Sequence, residues 1–183
     1  MKSKYFITLG ALGALMFVVA FVLGEAIVLL SGVQLTGGLV QVILLAIVFA
    51  VGYKMFPKFG TFTILALVFT LIASPFFVFG VPGLYKVVVG LVLGIVVDTF
   101  VYLTNKKHWS IYFGTALGFI VSVPMIWYSM KIIGLEDAAN KILELLPIII
   151  VVYAVEGFVG AYLGVRFFKK RLSKLPFIQQ LTK

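Results

Sequence analysis

The stretch PIIIVVYAVEGFVGAYLGVRFF (residues 147–168) decides the fold. A helix needs about 20 apolar residues to cross a bilayer, and this run supplies them with a carboxylate, Glu156, close to its middle. An ionisable side chain at that depth costs at least roughly 2.5–3.5 kcal/mol, so it persists where a partner, a cavity or a task offsets that cost. Tyr153, Glu156, Gly157, Gly160 and Gly164 recur at three- and four-residue steps and therefore share one side of the helix. Cations close the stretch and follow it: Arg166 within its last turn, then Lys169, Lys170 and Arg171.

Five other runs read in the same way: Phe6–Leu30, Leu39–Tyr53, Thr61–Phe79, Leu84–Leu103 and Ile111–Met130. The predicted fold is therefore an all-α integral membrane protein, one domain over residues 1–183 with six transmembrane helices. Composition agrees, with 63% hydrophobic and 11% charged residues and a mean hydropathy of +1.21, against about 25% charged in soluble domains. The breaks are Ser31-Gly32 to Gly37-Gly38, Pro57 to Gly60, Gly80-Val81-Pro82-Gly83, and Asn105-Lys106-Lys107. The first run is too long for a signal-peptide core and has no small-residue cleavage site after it, so it is expected to remain as a span. Residues 131–146 alternate apolar and polar positions at helical spacing and suggest an external amphipathic segment; residues 169–183 suggest a basic cytoplasmic tail on anionic lipid.

Charge sets the orientation. Lys2, Lys4, Lys54, Lys58, Lys106, Lys107, Arg166, Lys169, Lys170, Arg171, Lys174 and Lys183 all map to one side, 12 of the 15 basic residues. By the positive-inside rule both termini are cytoplasmic in a multi-pass cell-membrane protein. The net charge of +9 thus reads as topology, and no nucleic-acid partner is expected. The chain has no cysteine and a single histidine, His108, so thiolate chemistry, disulfides and His-cluster metal sites lack support. No cofactor and no catalytic residue are expected.

The carboxylates separate by depth. Glu25 lies near the outer end of the first run, where it either snorkels or faces a ligand. Asp98 lies near the cytoplasmic end of the fourth, in reach of Lys106, Lys107 or Arg166 for an ion pair. Glu156 is the one least able to reach water. Lys86, near the outer surface, is expected to pair with Glu25 or with an anionic group of a ligand. Trp127, Tyr128 and Tyr153 sit at the outer level, as interface anchors or as walls of an aromatic pocket. Pro75 and Pro124 lie at similar depths and are expected to kink the third and fifth helices. Small residues spaced by four, Gly90 and Gly94, Gly114 and Gly118, Gly160 and Gly164, let the last three helices approach closely. The candidate binding residues are Glu156, Tyr153, Trp127, Tyr128, Lys86, Gln34 in the first loop, and Glu25.

Size, span number and orientation, with Gly10-Ala11-Leu12-Gly13-Ala14 in the first run and Ala73-Ser74-Pro75-Phe76-Phe77-Val78-Phe79-Gly80-Val81-Pro82-Gly83 ahead of the fourth, resemble a substrate-binding S component of an energy-coupling-factor (ECF) importer. The resemblance covers nearly the whole chain. It implies that Gly10, Ala11, Gly13 and Ala14 dock on a transmembrane coupling subunit, with Gly10-x-x-x-Ala14 standing for the family's Ala-x-x-x-Ala. It also implies a pocket at the outer ends of the last three helices, capped by the first and third loops, for a vitamin or small polar nutrient. Energy would come from ATPase subunits, since the chain has no Gly-x-x-x-x-Gly-Lys-[Ser/Thr] motif. The competing readings are an intramembrane enzyme using its carboxylates on a lipid-like substrate, and a scaffold without ligand.

Overall fold

The computed structural model describes residues 2–31, 34–76, 82–105, 107–176, 178 and 179. These form six α-helices and a short 3-10 turn, with no strand among the described residues. The helices are α1 Lys2–Ser31, α2 Gln34–Met55, α3 Thr61–Ala73, α4 Tyr85–Leu103, α5 His108–Ile132 and α6 Glu136–Lys170, followed by the turn Leu172–Lys174. Four of them, α1, α4, α5 and α6, are long and apolar enough to cross a membrane; the apolar stretches of α2 and α3 are shorter.

The element bounds depart from the apolar runs in four places. Gly37-Gly38 lie inside α2 and not in a loop, so Gln34 is the first residue of that helix; its side chain falls outside the described residues. Two glycines in a helix interior cost about 1 kcal/mol each, and burial of Gln41, Val42, Leu45, Ala46 and Phe49 just beyond them offsets this. Next, α3 ends at Ala73, and Pro75 lies in the turn after it, where Phe76 N–H donates to Ala73 O at 3.1 Å. Pro75 therefore terminates the helix where a kink was expected: Ser74 still has helical angles, but the proline has no N–H with which to continue the ladder. Pro124, by contrast, lies inside the continuous α5.

The third departure concerns residues 131–146. Gly134, at φ +81°, closes α5 with paired bonds from Gly134 N–H to Lys131 O (3.3 Å) and Leu135 N–H to Met130 O (3.0 Å), the Schellman arrangement. From Glu136 one helix of 35 residues then runs through Pro147 to Lys170. The amphipathic segment is thus the first third of α6 and no separate element. Acidic Glu136 and Asp137 open that helix and basic Lys169 and Lys170 close it, both of the sign that complements the helix dipole. Fourth, the tail does not lie wholly on the surface: Ile178 is 4% exposed and belongs to the hydrophobic core.

The helices pack as a closed ring in the order α1, α2, α6, α5, α4, α3 and back to α1, while α2 also reaches across to α3 and α5. Each seam of that ring contains a glycine against its neighbour. On α6, a Cβ at Gly160 would lie 2.6 Å from Ile43 O, and one at Gly164 2.5 Å from Ile47 O, so α2 and α6 touch backbone to backbone. Gly157 meets α5, Gly118 and Gly114 meet α4, Gly94 and Gly90 meet α3, Gly13 meets α3 and Gly24 meets α2. Small residues at four-residue spacing are what permits such approach. Phe49, packed against Phe62 and Phe119 with Tyr53 stacked on Phe62, fills the centre.

The outside of the ring is apolar as well. Ile7, Leu15, Val18 and Val22 of α1 and Ile148, Val151 and Val155 of α6 are all exposed. Apolar patches of that extent are rare on soluble monomers, and helices apolar on every side suit an apolar solvent.

Contacts at one end of the ring gather the basic residues. Tyr5 Oη and Thr61 Oγ1, 3.1 Å apart, join the starts of α1 and α3. Lys58 Nζ sits 5.5 Å from the Tyr5 ring centroid. Lys54 Nζ donates to His108 Nδ1 at 3.0 Å, joining the end of α2 to the start of α5, and the Lys169 charge acts on the same imidazole.

Candidate functional site

The two ionisable residues of α4 both act on α3. Gly60 precedes α3 at φ +91° and has no side chain with which to cap it. Asp98 supplies the missing cap from across the seam. Its carboxylate accepts Phe62 N–H (3.3 Å), Thr63 N–H (2.9 Å) and Thr63 Oγ1–H (2.6 Å). Those are the second and third N–H groups of α3, the pair that an N-cap side chain normally satisfies. At the other end Lys86 Nζ donates to Ala73 O (3.3 Å) and Phe76 O (2.5 Å). Twelve positions separate Lys86 from Asp98 on α4, about 18 Å at 1.5 Å per residue. The 13 residues of α3 span about 19.5 Å by the same measure. Each charge has the sign that complements the dipole end it meets. Asp98 is thereby a helix cap and not half of the ion pair expected with Lys107 or Arg166; Lys106 lies outside the described residues.

Lys86 also stands at the edge of a cavity of about 80 Å³ inside the ring. Its walls come from α2 (Val42, Leu45, Phe49), α3 (Ala66, Phe69, Thr70, Ala73), α4 (Tyr85, Lys86, Val89, Gly90, Leu93), α5 (Phe119, Ser122, Ile126) and α6 (Tyr153). The cavity belongs to the half of the ring away from the basic end, since its walls run to the last residue of α3 and the first two of α4. Phe119 and Tyr153 meet edge to face across it, centroids 6.5 Å apart. Polar functions on the walls are few: the Lys86 ammonium, the Tyr85 and Tyr153 phenols, and the hydroxyls of Thr70 and Ser122. Both of those hydroxyls donate backward within their own helices, Thr70 to Ala66 O at 2.7 Å and Ser122 to Phe119 O at 2.7 Å. A few polar groups on aromatic and aliphatic walls are the usual make-up of a small-molecule site. The volume is well below the roughly 300–1,000 Å³ of sites for drug-sized ligands, so the space suits a small occupant.

The residues singled out from the sequence fall into separate places. Lys86 and Tyr153 share the cavity. Glu156, one turn along α6 from Tyr153, is half-buried and is not part of the walls; its Oε2 is buried without a hydrogen-bond partner among the described residues. Trp127 lies under the Lys131 ammonium, 5.7 Å from its ring centroid, and Tyr128 and Glu25 are exposed. On α1, Gly10 has nothing within 4 Å of where a Cβ would stand, and Ala11 is exposed. Ala14 is half-buried, whereas Gly13 is filled by Val68 of α3. The outward small-residue surface is thus Gly10, Ala11 and Ala14, and Gly13 serves an internal seam.

Sequence reasoning did not point to the α2 and α3 walls, because Phe49 and Phe69 are indistinguishable in sequence from residues facing outward. Gln41 was also missed. It is buried in α2, with Nε2 donating to Ala20 O of α1 at 3.0 Å, and a lone glutamine in an apolar run was the available signal. Among the described residues no three His, Asp or Glu side chains converge to hold a metal ion.

His108 at the basic end provides a local check. The Lys54 and Lys169 charges, in that order of influence, hold its imidazole below the usual 6.5, since a nearby cation disfavours a second positive charge. It should therefore be neutral at pH 7 and accept from Lys54 through Nδ1. Nuclear magnetic resonance titration of the imidazole should give a midpoint below 6.5, moving upward in Lys54→Gln. A midpoint at or above the ordinary value would disprove the clustering of these cations.

No protein-family model matches the chain, and neither a curated protein nor a solved structure matches it significantly.

Proposed function

We propose that this chain is the membrane-embedded capture subunit of a small-nutrient importer, a six-span multi-pass protein of the kind that S components of ECF importers represent. The observation that carries the reading is the cavity lined by α2 to α6, with the Lys86 ammonium, the Tyr85 and Tyr153 phenols and two hydroxyls on mostly apolar walls. Its position supports capture from outside. It lies in the half of the ring opposite the basic end, and the positive-inside rule assigns the basic end, with both termini, to the cytoplasm.

The chemistry of the walls favours a small occupant with an apolar body and one anionic or carbonyl group turned toward the Lys86 ammonium. That is less polar than a reading centred on Glu156 would require. The Gly10, Ala11 and Ala14 surface on α1 supports docking of a partner helix, because small residues open a shallow groove there. The partner in this reading is a transmembrane coupling subunit, itself driven by ATPase subunits.

An intramembrane enzyme is supported less well. General acid–base work needs carboxylates free to reach one substrate; both Asp98 oxygens are held by α3, Glu25 is exposed, and Glu156, whose Oε2 has no hydrogen-bond partner among the described residues, lies outside the cavity walls. A scaffold without ligand leaves the cavity without a role.

Single cysteines test the orientation on which capture from outside depends, and the native chain has none to confuse the readout. Leu84 and Lys58 are both exposed and lie at opposite ends of the α3–α4 pair. Leu84→Cys should react with an impermeant maleimide on intact cells, and Lys58→Cys only after lysis. The reverse pattern would turn the cavity toward the cytoplasm and rule out capture from outside.

A further inference from the structure

The outer surface of α6 carries a ridge that neither the cavity nor the ring seams use. Val151, Val155, Val159, Leu163 and Phe167 recur at four-residue steps and are all exposed. Sixteen residues make this ridge about 24 Å long at 1.5 Å per residue. At its end the surface changes character. An open groove between α6 and α2 there, of about 480 Å³, is lined by Ile47, Leu163, Phe167, Arg166, Lys170 and Arg171. Ile47, one of its lining residues, is also the residue whose backbone Gly164 of α6 packs against.

The charge around this groove is unbalanced. From Gly157 to the C-terminus the chain has six basic residues and no acidic one. Glu136, Asp137 and Glu144 stand at the far end of α6, and Asp98 is committed to α3. The Arg166 guanidinium meets Tyr162 Oη at a long 3.4 Å, which leaves most of its five donors to other acceptors. Lys54 and Lys169 add to the positive field at the same end, as their effect on His108 records.

We infer that the groove formed by Arg166, Lys170 and Arg171 at the end of the apolar ridge of α6 is a binding site for one anionic phospholipid, its phosphate on the cations and an acyl chain along the ridge. Guanidinium groups suit phosphate through paired N–H donors, and basic pockets between helices on the cytoplasmic side are suited to acidic head groups. A soluble anion would need the cations alone. The apolar floor of Ile47, Leu163 and Phe167, continuous with more than four helical turns of exposed side chains, favours a ligand with a hydrocarbon chain. The inference rests on the membrane reading proposed above, though not on the cavity or its ligand. A lipid held here bridges α2 and α6 at the seam nearest the tail, and so stabilises the end of the ring at which both termini lie.

The test uses the full chain, purified in a neutral detergent and delipidated. Phosphatidylglycerol, phosphatidylcholine and inorganic phosphate are titrated separately, and binding is followed by native mass spectrometry and by the unfolding midpoint. Phosphatidylglycerol should bind on the order of 100-fold more tightly than phosphatidylcholine and raise the midpoint. Each cation near a phosphate is worth about a five-fold change, so Arg166→Gln should lose roughly that factor. The Arg166→Gln/Lys170→Gln/Arg171→Gln variant should lose the preference altogether, while Lys141→Gln at the other end of α6 should keep it. Equal binding of the two lipids by the unaltered chain would overturn the inference without recourse to any variant. So would inorganic phosphate binding as tightly as the lipid, or a triple variant that keeps the preference. A chain that partitions to the soluble fraction without detergent would defeat the membrane reading itself, a separate outcome seen before any titration.

Discussion

Asp98→Ala should destabilise the chain by about 3–5 kcal/mol, the largest effect expected of any single polar substitution. The carboxylate receives two backbone N–H groups and one hydroxyl at the start of α3, and Asp98 itself is 2% exposed. Alanine would leave those donors buried and unpaired. A hydrogen bond to a charged group contributes about 1.5–3 kcal/mol, and each stranded donor costs about 1–3 kcal/mol. An ordinary N-cap loss is smaller, about 0.5–2 kcal/mol, because water reaches an exposed helix end. Gly60 cannot substitute for the lost cap, having no side chain. Asp98→Asn keeps one oxygen as acceptor and should cost about 1–2 kcal/mol. Unfolding titrations in detergent would measure both. Asp98→Ala within 1 kcal/mol of the unaltered chain would mean that α3 does not depend on this cap.

Two glycines in helices should respond to the same substitution with opposite signs. At Gly164 a Cβ would lie 2.5 Å from Ile47 O and 2.9 Å from the Ala50 Cβ, and a backbone oxygen cannot rotate away as a side chain would. Gly164→Ala must therefore push α6 off α2, at about 1–3 kcal/mol for overpacking, and Gly164→Leu by more. At Gly10 nothing lies within 4 Å, so Gly10→Ala should gain up to about 1 kcal/mol of helix propensity. The contrast isolates packing from helix propensity, since both sites gain equally from the latter. Equal responses at the two positions would contradict the backbone contact between α2 and α6.

The helical class and the clustering of basic residues at one end were legible because each rests on a pattern local to the chain: apolar runs of bilayer length, and cations at alternate run ends. Boundaries were less legible where a residue's usual local effect was overridden by packing. Gly37-Gly38 resembled a loop and lie within α2, and Pro147 resembled a start and lies inside α6. Pro75 erred the other way, ending a helix that was expected to continue. The buried charges of α4 stood out in the sequence, but their partners did not, because Asp98 and Lys86 bind backbone groups of α3 and no sequence pattern records a carbonyl or an N–H. The same holds for the cavity. Tyr153 and Lys86 were visible as unusual residues in apolar runs, whereas Phe49, Phe69 and Phe119 become cavity walls only through the order of helices in the ring. Glu156 drew attention by its depth, yet depth along a helix does not fix which seam a side chain enters.

Whether the cavity lined by α2, α3, α4, α5 and α6 holds a small molecule is tested by its occupancy. Ser122 lines the cavity, is 3% exposed, and donates to Phe119 O within its own helix, so Ser122→Leu would fill part of the roughly 80 Å³. The unaltered chain and the variant should be purified side by side and their small-molecule extracts compared by untargeted mass spectrometry, with unfolding midpoints recorded for both. A small compound with an apolar body and an acidic or carbonyl group should accompany the unaltered chain and be lost from a folded Ser122→Leu. No enriched compound in the unaltered chain, or the same compound equally retained by the variant, would contradict capture in this cavity.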